Sequence, residues 1–285
     1  MKPEITVLIV TYNAAAYLAE AVKSVLKQTF SDFELLVVDD GSTDNTNQII
    51  NNFGDSRIQY IKCKKDYIKS LNTGMQLAKG RYIARMDADD QMHPDRLRIQ
   101  HAILEEDPEI DICGTWATPF GTKVVRGEWN RYFSEYMTHP LVALSHENFL
   151  CHPTVMLRTA FWRQKKLSYK RGYPYAEDYK LWLDIALEGG RFYIETQSLL
   201  LYRVTDKQQT NKHQKEQMDT KERIRREAIT ALIANSGQQS ETLDKLYKNI
   251  LVLEKEWHLP QQILSDFFHR IFQTHIQEEA VSTKK

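Results

Sequence analysis

The sequence predicts an α/β protein, a mostly parallel sheet covered by helices, and three observations carry that prediction. Ile5 to Val10 is dense in Ile, Val and Leu with no polar alternation, as in a strand buried on both faces. Further strand-like runs then alternate with segments of helical periodicity, the pattern of repeated strand–helix units. Two of the strands end in acidic clusters, Asp39-Asp40 and Asp87 to Asp90. In open α/β sheets ligands collect beyond the carboxyl ends of the strands, so both clusters are expected at one edge.

The elements follow in order. Tyr17, Leu18, Ala21, Val22, Val25 and Leu26 recur at helical spacing after the first strand. Leu35 to Val38 is the second apolar run and stops at Asp39-Asp40-Gly41-Ser42. Ser42 or Thr43 is expected to cap the next helix, with Asp44 in its first turn. Ile58 to Ile61 reads as a strand, and Ile68, Leu71 and Met75 mark one helix face. Tyr82 to Met86 reads as a strand running into Asp87. Pro94 opens a helix carrying Leu97, Ile99 and Leu104, and Ile110 to Trp116 is a further strand.

From Pro119 the pattern loosens, and Phe120 to Tyr136 is expected to form a hairpin or a substrate-facing loop. Ala176 to Gly189 reads as a helix stopped by Gly189-Gly190, and Leu199 to Val204 as the last strand. After Asp206 the composition turns to Lys, Gln, Glu and Arg, with a helical stripe of Ile224, Ala228, Ile229, Leu232 and Ile233. Leu243 to Leu253 and Ile263 to Ile271 suggest two more helices. The expected division is an α/β body over 1–210 and a helical C-terminal extension over 211–285.

Bulk properties exclude several classes. Lys+Arg and Asp+Glu both number 38 in 285 residues, so no global field recruits nucleic acid. Cys63, Cys113 and Cys151 are scattered and odd in number, which argues against a disulfide framework or a zinc knuckle. No apolar stretch approaches the roughly 20 residues that span a bilayer. The expectation is a cytoplasmic protein, soluble or peripherally attached to a membrane. The basic amphipathic stripe after Lys207 suits a homodimer contact, a membrane surface or a plain packing helix.

The sharpest chemical signal is Arg85-Met86-Asp87-Ala88-Asp89-Asp90. Three carboxylates within four residues repel one another unless a counter-charge or good solvation relieves them. A divalent cation with oxygen ligands supplies that charge; magnesium or manganese is held by one or two carboxylates plus substrate phosphates. An isolated acidic turn would more simply cap the following helix, but its place after a buried strand, beside a second acidic pair, favours the metal. A carboxylate at Asp39-Asp40 can accept hydrogen bonds from a base or ribose, and Gly41 lets the chain turn beside a ligand. Tyr12 offers a ring for stacking. Glu177-Asp178 opens a helix, where acidic residues are also ordinary dipole partners. His152 reads either as a substrate contact or as a hydrogen-bonded histidine before Pro153.

Taken together these stretches resemble the family 2 glycosyltransferases, which have the Rossmann-like GT-A fold and invert the anomeric centre. The likeness covers roughly residues 4 to 210. It rests on Ile5 to Asn13, Val37 to Ser42, Leu71-Asn72-Thr73-Gly74, Ala78 to Asp90 and Pro94 to Leu97. It continues in His152 to Met156, Glu177 to Trp182 and Leu201-Tyr202-Arg203-Val204. The resemblance implies that Thr11, Tyr12 and Asn13 line the nucleotide pocket and that Asp40 bonds the base, commonly uracil. Asp87 would hold the ribose or assist the metal, and Asp89 would ligate manganese or magnesium. Asp178 would be the general base, with Glu177, His152 and Arg203 at the acceptor or the diphosphate.

The implied reaction moves a sugar from a nucleotide diphosphate, UDP by family habit, to a hydroxyl of a saccharide or lipid-linked saccharide during surface polysaccharide synthesis. Two departures stand out: the family often has Pro before the Thr-Tyr-Asn segment, where this chain has Val10. Many relatives carry a histidine shortly after the Tyr-Arg pair, where this chain has Thr205, and Lys207 or His213 would have to replace it. Three rivals have sequence criteria of their own. A magnesium phosphohydrolase wants an Asp-x-Asp nucleophile after the first strand, where Thr11-Tyr12-Asn13 stands. A nucleotidyltransferase wants a Gly-rich basic loop there. A degenerate module would bind the nucleotide sugar without catalysis; intact Asp89 and Asp178 argue against it, and Thr205 keeps it open.

Overall fold

The computed structural model describes residues 2–122, 135–137, 139–205 and 213–236. Most of the hairpin or loop expected over Phe120 to Tyr136, Lys207 and the helices expected at Leu243–Leu253 and Ile263–Ile271 lie outside the described residues. One mixed sheet organises the rest. Its strands are β1 (Ile5–Thr11), β2 (Phe33–Asp39), β3 (Ile58–Lys62), β4 (Tyr82–Asp87), β5 (Gln91–Met92), β6 (Ile112–Gly121), β7 (Glu135–Tyr136), β8 (Met156–Arg158) and β9 (Phe192–Val204). They stand in the order β3-β2-β1-β4-β8-β6-β9-β5, with β7 also on β9.

The central parallel strands are buried along their lengths because both faces are covered. Val7, Ile9, Leu35, Val37, Ala84 and Met86 face one core; Leu8, Val10, Leu36, Val38 and Ile83 face the other. On the first side α1 (Leu18–Leu26) buries Leu18, Ala21, Val22 and Val25 at helical spacing. On the second, α3 (Tyr67–Leu77) lays Leu71 and Met75 against Leu8 and Leu36. Gly74 has no room for a side chain, because a Cβ there would come within 2.4 Å of Leu8 Cδ1. Parallel pairing of β1 with both β2 and β4 places Thr11 opposite Asp39 and Val10 opposite Asp87. The two acidic strand ends are thereby brought to one edge.

Three features differ from the sequence reading. Short β8 runs antiparallel between β4 and β6, and β5 and β7 pair antiparallel with β9, so the sheet is mixed at that end. β9 spans Phe192–Val204 rather than starting at Leu199, since its first half pairs with β6 while leaving polar Glu195 and Gln197 at the surface. α2 (Thr46–Asn51) is capped by neither Ser42 nor Thr43. Asp44 Oδ1 accepts from Thr46 N at 3.1 Å and Thr46 Oγ1 at 2.6 Å, while Ser42 Oγ is already taken by Asn13 N. Gly41, at φ 84°, turns the chain between these roles.

The remaining helices are α4 (Arg96–Glu106), α5 (Pro140–His146), α6 (Thr159–Gln164), α7 (Glu177–Leu187) and α8 (Gln214–Ser236). The Gly189 stop after α7 is as expected: φ is 79° and Gly190 N donates to Ile185 O at 2.8 Å. α8 buries Ile224 and Ala228 in the core that holds Trp182. Lys180 Nζ on α7 reaches Glu227 Oε2 on α8 at 2.8 Å. Among the described residues no helix is long and apolar enough to cross a membrane.

Candidate active site

The site forms where β1, β2 and β4 end. Thr11 is buried, and the chain then turns at Asn13, whose φ of 50° is the left-handed value that Asn tolerates. Asn13 stitches this turn to the next: its N donates to Ser42 Oγ at 2.9 Å and its Oδ1 accepts from Thr43 N at 2.8 Å. Tyr12 is left exposed with Lys65 Nζ 4.1 Å from its ring centroid. The two neighbouring aspartates divide. Asp39 is wholly buried and structural, accepting from Ser42 N at 2.7 Å and from the Tyr60 hydroxyl. Asp40 Oδ1 accepts from Asp66 N and Ser70 Oγ, both at 2.7 Å, which fixes the buried carboxylate just beyond the end of β2.

The acidic loop after β4 is built to hold charge together. Carboxylate oxygens of Asp87, Asp89 and Asp90 lie within 4.8 Å of one another. Burial, and then the Asp87 charge, pushes the Asp89 carboxyl up to about 6. Burial with Asp87 and Asp89 drives Asp90 well above the usual carboxylate range. Asp90 Oδ1 accepts from Arg203 N at 2.8 Å, whereas its buried Oδ2 has no partner. Crowded, poorly hydrated carboxylates with an orphaned oxygen fit a hard divalent cation, which would neutralise them and take oxygen ligands. A second acidic group, Glu4 and Glu105 with His101, lies at the opposite end of the sheet. Arg81 pairs with both of its carboxylates.

Arg203 braces this loop. Its guanidinium lies 4.4 Å from the ring centroids of both Tyr17 and Phe120, and Nε donates to Asp89 O at 2.7 Å. Nη2 pairs with Glu20 at 2.6 Å. The described contacts of Arg203 thus position Asp89 and Asp90.

Glu177 and Asp178 begin α7, both half-buried, after Tyr175 at a left-handed φ of 59°. Asn148 Nδ2 donates to Asp178 Oδ2 at 2.9 Å and orients it. Burial raises Asp178, against the hydrogen bonds from Tyr179 N and Asn148. Burial and then the Asp178 charge lift Glu177 to about 7. His152 lies in a 3₁₀ turn (His152–Thr154) and is buried, its Nε2 2.8 Å from the Tyr169 hydroxyl. Burial and the nearby Arg85 charge hold it well below the usual histidine value, so it is neutral. His213 stacks on Tyr175 at 4.3 Å between centroids, and Nδ1 is 3.7 Å from Glu216. It therefore props the loop before Glu177.

Sequence reasoning passed over four residues here: Arg85, Tyr67, Asn148 and Tyr169. Only Arg85 left a signal, a cation in the middle of an otherwise apolar strand. The others arrive from loops and helices far away in the chain.

Carboxylates crowded at the carboxyl edge of an α/β sheet, within electrostatic reach of a raised carboxylate pair on a helix start, can hold a divalent cation and accept a proton. The family model for glycosyl transferase family 2 matches residues 6–164, and the chain belongs to that family. An uncharacterised glycosyltransferase of Haemophilus influenzae is 32% identical over 250 residues, covering 82% of this chain and 76% of the relative. WfaP of Escherichia coli, a UDP-Glc:alpha-D-GlcNAc-diphosphoundecaprenol beta-1,3-glucosyltransferase, is 30% identical over 203 residues, covering 65% of this chain and 71% of WfaP. The crystal structure of S. aureus TarS 1-349 in complex with UDP shares the fold at a TM-score of 0.65 and 19% identity, covering 88% of this chain and 71% of that one. The chain is thus a transferase enzyme of the GT-A fold, and the phosphohydrolase expectation is set aside.

Proposed function

We propose that this protein is an inverting, metal-dependent glycosyltransferase that takes a sugar from a UDP donor. The observation that carries the reading is the convergence of Asp87, Asp89 and Asp90 at the end of β4 with Asp40 at the end of β2 and the Glu177-Asp178 pair on α7. Thr11, Tyr12, Asn13 and Asp40 would line the nucleoside, with the Asp40 carboxylate accepting from the base. Asp87 would hold the ribose, and Asp89 would ligate manganese or magnesium. Bound there, the cation would offset the charge that builds on the leaving diphosphate.

Asp178 would take the proton of the acceptor hydroxyl as it attacks, on the face opposite the leaving group, so that one displacement inverts the centre. Its raised affinity for a proton suits that role near neutral pH. Glu177 would keep the pair's ionisation within reach and shape the acceptor side. His152, neutral and tied to Tyr169, would form the wall behind the acceptor, and Arg203 would act on the diphosphate by way of Asp89 and Asp90.

The acceptor that fits is a saccharide, carried on a lipid as in the reaction named for WfaP, with surface polysaccharide as the product. A cytoplasmic location, at the inner face of the membrane, follows for such an acceptor. The catalytic body would span 1–210 and the helical extension 211–285 would serve a homodimer or membrane contact.

Calorimetry tests the donor and the metal together. UDP is expected to bind in the presence of manganese and to lose most of that affinity in excess chelator. Equal affinity with and without chelator would remove the metal from the reading. A second measurement follows from the coupled pair. The acid limb of the kcat/KM profile is expected above the usual aspartate range, because burial raises the Asp178 carboxyl, with activity rising as that proton is lost. Glu177, lifted to about 7 by burial and the Asp178 charge, loses its proton later, so Glu177→Gln leaves that limb in place and removes a second ionisation near pH 7. An acid limb that moves in Glu177→Gln would make Glu177 part of the base.

A further inference from the structure

Arg85 is a buried cation that the roles above leave unused. It follows Ile83 on one face of β4 and precedes Asp87 on that same face. Its side chain is 3% exposed, and Nη2 lies 2.6 Å from Asp87 Oδ1. The same nitrogen is 3.3 Å from the Tyr67 hydroxyl. Nε and Nη1 are buried without any hydrogen-bond partner. Burying guanidinium N–H groups unmade is costly, and five donors on a rigid plane can satisfy several acceptors at once.

The surroundings say what those acceptors are. The Arg85 charge acts on Tyr67, Tyr169 and His152, and on the carboxyls of Glu177 and Asp178. Arg85 thus touches Asp87, at the strand end read above as the diphosphate site, and lies within electrostatic reach of the helix start read as the base. During an in-line displacement the anomeric carbon must lie between those two groups. We infer that Arg85 binds the transferred sugar, its Nε and Nη1 each donating to a sugar oxygen. Asp87, Glu177 and Asp178 already outnumber this one guanidinium, so a further carboxylate would add to a surplus of negative charge. The ligand class is a neutral hexosyl donor, recognised through its hydroxyls.

This inference rests on the donor reading above, and the test separates the two. Calorimetry on the full chain with manganese compares UDP with UDP-glucose, UDP-galactose and UDP-N-acetylglucosamine, for the wild type, Arg85→Lys and Arg85→Gln. Wild type is expected to bind one of these sugars more tightly than UDP. In both variants the sugar's extra affinity over UDP, about tenfold or more, disappears, beyond any loss that UDP itself suffers through the Asp87 contact. Lysine keeps the charge but offers a single point, so full recovery by Arg85→Lys would show a mere counter-charge for Asp87 and overturn the inference. Equal losses for UDP and UDP-sugar would overturn it too. Should the variants fail to fold, wild type alone decides with singly deoxygenated forms of the preferred donor. At least one must lose about tenfold, because a site built to bond a hydroxyl is left unpaired without it. No loss with any of them overturns the inference. A wild type that binds UDP but gains nothing from any sugar refutes the role of Arg85 and leaves the donor reading standing. A wild type that binds no UDP removes both.

Discussion

Asp178→Asn is expected to lower glycosyl transfer by roughly 10²- to 10⁴-fold, the reach of a positioned general base, while donor affinity is kept. The substitution is nearly isosteric. Asn148 Nδ2, which donates to Asp178 Oδ2 at 2.9 Å, can still find an amide oxygen there, so α7 should start where it does now. What is lost is an acceptor for the proton of the attacking hydroxyl. The residues proposed for the nucleoside, Thr11 to Asn13 and Asp40, lie at the ends of β1 and β2, and no described hydrogen bond joins them to Asp178. Steady-state transfer assays beside UDP calorimetry make the comparison. A variant that transfers sugar at a near-normal rate would show that another group takes the proton.

The second large effect belongs to Asp89. Asp89→Asn is expected to weaken manganese-dependent donor binding by more than the roughly 10- to 100-fold that changes in outer-shell partners usually cost. Its effect on stability should be the opposite. Metal-free, Asp89 sits beside Asp87 with its carboxyl pushed up to about 6 by burial and by that neighbour. A carboxyl whose folded value is raised binds protons better in the folded protein than in the unfolded one. Its contribution is present at low pH and is lost as pH rises through about 6. The amide carries no charge, so above that pH the metal-free variant should melt no lower than wild type. Thermal melts at pH 7.5 with chelator, then with manganese, test both halves. A variant that still gains wild-type stability from manganese would move the metal away from Asp89.

Much of this arrangement was legible in the sequence because it is local. The apolar runs Ile5 to Val10, Leu35 to Val38 and Tyr82 to Met86 are strands in the structure, since only a strand covered on both faces buries every residue of such a run. The acidic clusters at their ends fall on one edge because parallel neighbours share a direction. The α7 stop at Gly189 was equally readable, as a glycine that must take a left-handed φ.

Other features depend on partners distant in the chain, and there local pattern carries no information. Asp39 and Asp40 read as a pair; one is a buried anchor for Tyr60 and Ser42, and the other faces the site through Asp66 and Ser70. Arg203 is expected from the sequence at the acceptor or the diphosphate, but its described partners, Glu20, Tyr17, Phe120 and the acidic loop, are ones that no local pattern announces. The short antiparallel β8 has too few residues for a periodicity of its own, and its pairing depends on β4 and β6 leaving a gap between them.

The sequence by itself determined that Asp87, Asp89 and Asp90 crowd together, because four consecutive residues at a strand end have nowhere else to go. It also determined that Asp40 joins them at that edge. Only the tertiary structure decided that Arg85 lies beneath them with two nitrogens unpaired, that Arg203 ties Asp89 and Asp90 to β9, and that Asn148 turns Asp178 inward. The physical reason is range. Charge repulsion and strand direction act between near neighbours, whereas burial and the hydrogen bonds that orient a buried carboxylate come from segments that meet only when the core closes.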